Sequence, residues 1–500
     1  MSMFRNLMIR ATEKGPDTFV CKIKNTNSSA VTPYIAFPVR EAYAGIPGIT
    51  VTIETSTGQS QTLTLTGTDL KTKNDTASFS LGRIDYFSAI SMAQDETATV
   101  TIYSKTRKFP SFSFCSSASS SSYSKVNARL YEVVTPLPVF ADGYCGSVFC
   151  GSLMTGFPEN LFQYGKSITT LAYTFAYTEL TTVPEGLFSG LENVTTLEDL
   201  FYRCVKLTSI PEGLFSGMTK VTSIRYLFYD CLSLTSIPEG LFSGMTKVAS
   251  LSCLFLNCPI TEIPEGLFSG MTEVTSLSLL FQYCSKLTTV PAGLFSGMTK
   301  VTSLYGLFSQ CSSLTSIPEG LFSGMTKVTD LNGMFWGCLS LTSIPEGLFS
   351  GMTKVTSVNT MFCSCGKLTS IPKGLFDDLT GVTSASWTFS YCTGLTSIPE
   401  GLFRNLTMAT NFSYCFYQAS ASAIHANIFC DEATEKATRF ASVTPNFSSC
   451  FDGLKGTVAG TAPALWEYTY KSTPTKTECF NGNSTTTLSN YEDIPTEWIS

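Results

Sequence analysis

The sequence predicts a solenoid of about eleven stacked coils, mainly β with short helical or irregular segments, preceded by a small β-sandwich or barrel. Two observations predict the solenoid. The phrase Ile-Pro-Glu-Gly-Leu-Phe recurs with little change, its prolines at 184, 211, 238, 264, 291, 318, 345, 372 and 399, spaced 26 or 27 residues apart. The positions that stay constant between copies are the apolar ones, so each coil has an apolar face that only a neighbouring coil can bury. A third observation, period-2 alternation in the first 110 residues, predicts the β domain.

From the amino terminus, alternation over Thr18–Lys24, Ile49–Thr55, Gln61–Thr66 and Thr99–Ser104 reads as strands, with Gly58 in a hairpin turn between the second and third. Residues 1–110 are therefore expected to be a separate attachment domain. A Ser-rich stretch, Ser111–Ser124, reads as a linker over residues 111–125. The solenoid is expected over 126–440, with a weaker copy at Pro158–Phe162 and a degenerate one at Ile424–Phe429, where His425 stands at the proline position. Over 441–500 the repeat decays, yet Cys450-Phe451, Cys479-Phe480, Leu488 and Ile494–Trp498 still echo it. That segment reads as a cap on the open end of the stack.

One full unit runs Leu314-Thr315-Ser316-Ile317-Pro318, Gly320-Leu321-Phe322, Met325, Val328, Leu331, Met334-Phe335 and Cys338. In Leu-Thr-Ser-Ile, apolar and polar residues alternate as in a short strand, and proline then ends the pairing. Each coil is expected to give one strand there, building a parallel sheet at about 4.8 Å per coil, on the order of 50 Å long. Pro-Glu-Gly supplies a fixed φ and then a permissive glycine, turning the chain into the return segment.

The run Val328-Thr329-Asp330-Leu331-Asn332-Gly333-Met334-Phe335-Trp336-Gly337-Cys338-Leu339-Ser340-Leu341-Thr342 resembles the BspA-type leucine-rich repeats of bacterial surface proteins, with their M-F-x-x-C-x-x-L-T signature. The resemblance covers over half the chain and implies a leucine-rich-repeat solenoid that presents a binding surface. The segment Leu488–Pro495 is similar to termini of repeat proteins in phages and prophages of gut bacteria. That second resemblance implies a virion fibre, spike or decoration protein.

Chemistry-bearing motifs are sparse. His425 is the sole histidine, which removes Ser-His-Asp, Cys-His and multi-histidine metal sites, and no phosphate-cradling glycine loop is present. No enzymatic activity, cofactor or metal is expected. Cysteines 204, 231, 258, 284, 311, 338, 365 and 392 recur at the repeat period, which predicts one buried thiol per coil rather than a ligand cluster. Cys253 and Cys363 lie off that row, and Cys145 with Cys150 reads either as a disulfide or as two thiols. A row of glutamates (185, 212, 239, 265, 319, 346, 400), broken by Ala292 and Lys373, reads as a solvated turn position rather than a calcium site. Lysines 220, 247, 300, 327 and 354 read as a solubilising row.

A net charge of −6 without a basic block gives no footprint for nucleic acid, and no apolar run reaches the length of a membrane span. The expected partners are other virion proteins through the amino-terminal domain, a bacterial surface glycan or protein, and a further copy of the chain, with no membrane insertion. The residues Met1–Phe19 show no export signal, which favours the virion over the bacterial surface as the expected location.

Positions that vary while the frame stays fixed are the candidate ligand contacts: Tyr226, Tyr229, Asp230, Gln282, Tyr283, Tyr305, Asn332, Trp336 and Tyr391. The same flank carries Tyr202, Arg203, Asn257, Gln310 and Trp387. Aromatic rings beside amides and carboxylates suit a sugar or a protein epitope, because ring faces supply apolar area and polar neighbours fix orientation.

Overall fold

The computed structural model describes residues 17–26, 30, 34–38, 49–65, 83–87, 91–105, 107, 109, 112, 129–140, 142–430 and 433–500. They form two compact units, Met1–Leu234 with Gly240–Lys247, and Thr235–Glu239 with Val248–Ser500. Most of the linker expectation, Ser113–Ser124, falls outside the described residues.

The first unit opens with an antiparallel sheet of five strands in the order β4-β3-β6-β1-β7: β1 Thr18–Lys24, β3 Ile49–Thr55, β4 Ser60–Leu65, β6 Thr97–Tyr103 and β7 Arg129–Val133. A two-stranded ribbon, β2 Tyr34–Pro38 with β5 Arg83–Phe87, accompanies it. Among the described residues β4 and β7 are free edges, so the sheet does not close into a barrel. Alternation buries Phe19, Cys21 and Ile23 of β1, Ile49, Val51 and Ile53 of β3, and Ala98, Val100 and Ile102 of β6 on one face. Gly58, at φ 90°, makes the expected hairpin turn and donates its N–H to the Thr55 carbonyl.

This sheet runs directly into the coils. Phe112 packs on Phe19 (ring centroids 5.1 Å apart) and on Phe140 (5.5 Å), so one aromatic cluster joins β1 to the start of the array. The Leu153 N–H donates to the carbonyl of Leu130 in β7, and Arg129 Nε donates to the Gly151 carbonyl at 2.6 Å. The amino-terminal sheet thereby covers the apolar end of the first coil, which would otherwise face water.

Coil architecture follows from hydrogen-bond accounting. In one coil of the second unit the N–H groups of Leu304, Gly306, Phe308 and Gln310 donate to the carbonyls of Asp330, Asn332, Met334 and Trp336 in the next coil. The intervening Leu307, Ser309 and Cys311 N–H groups donate back to Leu304, Gly306 and Phe308. Alternate residues thus bond across coils and within them, and the remaining Tyr305 N–H donates to the Ser303 hydroxyl at 3.3 Å.

Most of the parallel bridges sit on one residue per coil: Tyr144, Thr170, Thr196 and Ser223 in the first unit, and Ser250, Ser276, Ser303, Asp330, Ser357, Ser384, Asn411, Asn446 and Thr475 in the second. They fall in the Val-Thr-Ser-Leu segment. The Leu-Thr-Ser-Ile segment expected to form the strand has one such bridge, Ser370 with Ser397, although its threonines donate coil to coil, as Thr342 does to Thr315. Extended strands fail to form because tight turns follow each bridge at once.

Phenylalanines stack in register between the backbone ladders. Phe281, Phe308, Phe335, Phe362 and Phe389 lie 5.4–5.8 Å apart with planes within 13° of parallel. A second file, Phe268, Phe295 and Phe322, runs at 6.0–6.3 Å. Offset ring pairs contribute about 0.5–1.5 kcal/mol each beyond the area they bury.

The cysteine row is buried, as the repeat period predicts, and it carries a directional bond as well. Five of its thiols reach the carbonyl of a phenylalanine in the preceding coil: Cys284 to Phe255, Cys311 to Phe281, Cys338 to Phe308, Cys365 to Phe335 and Cys392 to Phe362, at 3.1–3.3 Å. Cys145 and Cys150 are also buried and unbonded to each other.

At the carboxy end the Phe480 and Glu478 N–H groups donate to Trp498 and Ser500, and Trp498 is buried against Phe447 beneath Lys476. Donors that would face a further coil are met by the last residues of the chain.

Burial pushes the thiols of Cys311, Cys338, Cys365 and Cys392 well up, and that of Cys204 to about 12, because a thiolate would lose its hydration. Native protein at pH 8 is therefore expected to leave the row unlabelled by a thiol-specific disulfide reagent. Labelling should appear only in denaturant; stoichiometric native labelling of Cys311 or Cys338 would contradict the packing described.

Candidate ligand-binding face

Each coil contains the same pair of turns twice. In Pro184–Leu187 and Phe188–Leu191 the fourth N–H donates to the first carbonyl, and the third residues, Gly186 and Gly190, have φ of 68° and 81°. In Leu304–Leu307 and Phe308–Cys311 the third residues are Gly306 and Gln310, at 58° and 62°. A tight turn with positive φ at its third residue favours glycine, because a Cβ there crowds the following carbonyl. The Gly-Leu-Phe-Ser-Gly half of the repeat obeys this preference.

In the coils from Phe175 to Phe416 the opposite half obeys it only at Gly306, Gly333 and Gly337. Its other positive-φ positions include Tyr173 and Tyr177, Asp199 and Arg203, Tyr226 and Asp230, Cys253 and Asn257, Leu279 and Tyr283, Thr360 and Ser364, Trp387 and Tyr391, and Tyr414 and Gln418. Each such residue costs about 1–2 kcal/mol relative to an ordinary conformation. Strain recurring on one flank, where glycine serves the equivalent turns elsewhere, marks side chains retained for something other than stability.

In the first unit the expected residues Tyr226, Tyr229 and Asp230 come together in an aromatic ladder. Tyr202 stacks on Tyr229 at 4.7 Å with planes 8° apart, and Tyr177 follows at 5.3 Å. Tyr226 leans on Tyr229 at 5.9 Å, Arg203 lies 5.7 Å over the Tyr177 ring, and its Nε reaches Asp230 at 3.3 Å. Beside them Asp199 is buried, and burial pushes its carboxyl up to about 7, opposed by a hydrogen bond from Tyr173. Burial also pushes the Tyr173 and Tyr202 hydroxyls up.

In the second unit Gln282, Tyr305 and Trp336 surround a depression of about 160 Å³, with Ser309 and Thr360 on its lining and Gly306 and Gly333 as its floor. Tyr305 and Trp336 are 46% and 39% exposed, far more than aromatic rings that serve packing. A side chain at Gly306 would place its Cβ 2.6 Å from Leu279 Cδ2, so only glycine leaves room there for that leucine.

The remaining expected residues lie elsewhere. Tyr283 is exposed and does not line the depression. Asn332 is committed to the frame: its Oδ1 accepts from Ser357 Oγ at 2.5 Å and from the Asn359 N–H at 3.0 Å. Tyr391 belongs to another cluster, edge-on to Tyr417 at 5.4 Å, where Trp387 stacks on Tyr414 at 4.3 Å. Sequence reading passed over Tyr414, Tyr417, Ser309 and the two floor glycines. The available signal was the replacement of large residues by Gly306, Gly333 and Gly337 in consecutive coils.

Chemically, two exposed rings with an amide and hydroxyls between them can hold a ring-shaped polar ligand by stacking and hydrogen bonding. The one histidine, His425, is far along the chain from this depression and sits 3.6 Å from Glu400.

Comparison with known families matches six copies of a model described as "BspA type Leucine rich repeat region" over residues 155–329 and 307–455. No curated protein matches the chain. Among solved structures it is similar to a leucine-rich cell surface protein from Faecalibacterium prausnitzii A2-165, at 19% identity over 51% of this chain and 81% of that one, with a TM-score of 0.20.

Replacing the exposed Tyr283 by glycine removes its Cβ at φ 61°. Tyr283→Gly is expected to leave stability unchanged or raise it by up to about 1 kcal/mol in urea unfolding, relief of strain being partly offset by a more flexible unfolded chain. A loss above about 1 kcal/mol would show that the tyrosine serves packing instead.

Proposed function

The chain belongs to the BspA-type leucine-rich-repeat family, and on that premise we propose that it is a non-enzymatic adhesion protein of the bacterial cell surface. Its ligand is a surface glycan, held on the flank that carries Tyr305 and Trp336. The amino-terminal sheet serves attachment, and the repeats serve recognition. The observation that carries this reading is the exposure of Tyr305 and Trp336 around one depression: Gly306, Gly333 and Gly337 take strained positions of their coils, and the two rings stand beside them. Gln282, Ser309 and Thr360 line the same depression and supply an amide and two hydroxyls to a ligand held by the rings.

A glycan suits the site better than a flat protein epitope because the depression is small and walled by two rings. The virion setting suggested by the sequence draws no support from the family relationship. Mass spectrometry of purified phage particles against surface labelling of intact cells separates the two settings, and recovery of the polypeptide only in particles would refute the surface reading.

The binding assignment is tested by Tyr305→Ala combined with Trp336→Ala. Both side chains are exposed, so the double variant is expected to unfold at nearly the wild-type denaturant concentration. Stacking losses of about 1 kcal/mol or more per ring predict glycan-array or cell binding weakened at least about tenfold. Equal binding by the double variant would sink the assignment.

A further inference from the structure

Three consecutive coils of the second unit lack a large side chain where their neighbours have one. Two positions before the stacked phenylalanine, successive coils carry Leu279, Gly306, Gly333, Thr360, Trp387 and Tyr414, all at positive φ. Gly306, Gly333 and Thr360 line the depression beside Tyr305 and Trp336, so small residues from three coils follow one another along the array. Thr360 stands at the end of that run, and its N–H donates to the carbonyl of Ser386, the residue before Trp387. The next occupant of the file is therefore an indole. Trp387 stacks on Tyr414 at 4.3 Å with planes 10° apart, so one face of the indole meets the following coil and the opposite face is turned back toward the coil of Thr360.

Charge is absent from the same flank. From the coil of Phe255 to that of Phe416, all of them described, the residues from three before to two after each stacked phenylalanine include no acid, base or histidine. In the first unit those positions hold Glu198, Asp199, Arg203, Arg225 and Asp230. Asp330, just upstream of the charge-free stretch, accepts the Asn332 N–H on Oδ1 at 2.9 Å. A charged ligand would give up water here without gaining a counter-charge, whereas a neutral polyhydroxyl ligand finds rings, amides and hydroxyls. Spacing restricts the ligand further. From Phe308 to Phe416 successive rings lie 5.4–5.8 Å apart, close to the length of one pyranose unit in an extended chain, so a straight polysaccharide would meet each coil with one further sugar. Equatorial linkages keep such a chain straight, and axial ones curl it away from the file.

We propose that the depression is one part of a longer trough, which binds a neutral, linear, equatorially linked polysaccharide along the run of coils. Trp387 holds a sugar beyond those held at Tyr305 and Trp336. The proposal rests on the glycan reading and names the class of glycan.

Isothermal titration of the full chain with cellobiose and cellohexaose, and with their N-acetylated counterparts chitobiose and chitohexaose, tests it. In at least one series the hexasaccharide is expected to bind at least about ten times more tightly than the disaccharide, because further contacts along one tethered chain reinforce the first. Trp387→Gly places there the residue that Gly306 and Gly333 supply in earlier coils, so the frame accepts it. It is expected to abolish the gain with length and to leave disaccharide affinity unchanged. Trp387→Tyr, which matches Tyr414, is expected to keep the gain. Hexasaccharide bound as tightly by Trp387→Gly as by wild type, or no saturable heat in either series, overturns the proposal. Short and long chains bound equally, and both lost when Tyr305→Ala is combined with Trp336→Ala, would overturn it and leave the glycan reading standing. Binding of either length that persists in that double variant overturns both.

Discussion

Everything in the array depends on how the backbone amides between each bridge residue and the conserved cysteine are satisfied. Half of them close tight turns within the coil and the alternate half donate to the next coil, so a coil without a neighbour carries several unmet donors along one edge. Stacking is therefore obligatory on polar as well as apolar grounds. The stacked phenylalanines and the thiols bonded to phenylalanine carbonyls lie in the same interior and fix the same register. Both ends of the chain answer the same requirement, the β sheet covering the first coil and Trp498 with Ser500 meeting donors of the last.

That hydrogen-bond pattern also creates the opening for function. Two turns per half-coil place a residue at positive φ every fourth position, and glycine is the cheapest occupant. Where Gly-Leu-Phe-Ser-Gly recurs, the chain takes it. Where Tyr226, Trp387 or Tyr391 stands instead, local strain holds a side chain at a fixed, repeated angle on one flank, whereas Tyr305 and Trp336 stand beside glycines that take strained positions. A rigid frame with variable, strained side chains is a sound way to build a recognition surface, because little ordering entropy remains to be lost on binding.

Much of this was legible in the sequence. The period, the anchor residues Leu-Phe and Cys, and the strands at Thr18–Lys24 and Ile49–Thr55 all follow from hydrophobic spacing. The location of the cross-coil ladder did not. Leu-Thr-Ser-Ile alternates as a strand does, and Val-Thr-Ser-Leu alternates equally well, so periodicity alone could not rank them. Aligning Val301–Cys311 with Leu314–Met325 would have exposed the doubled Leu-Phe turn and hence the positive-φ positions. Among the candidate residues, Gln282, Tyr305 and Trp336 meet, whereas Asn332 is drawn into the frame by the Ser357 hydroxyl. A polar residue between two hydrophobic anchors has the same sequence signature in either role.

The most direct measurement of the central claim is native-state hydrogen–deuterium exchange over the segment from Leu304 to Cys311. If alternate amides bond across coils, all of them, including Gly306 and Gln310 at positive φ, exchange as slowly as the most protected parts of the chain. If only the turns within the coil were formed, Leu307, Ser309 and Cys311 would be protected while Leu304, Gly306, Phe308 and Gln310 exchanged freely, and that alternating result would contradict the account.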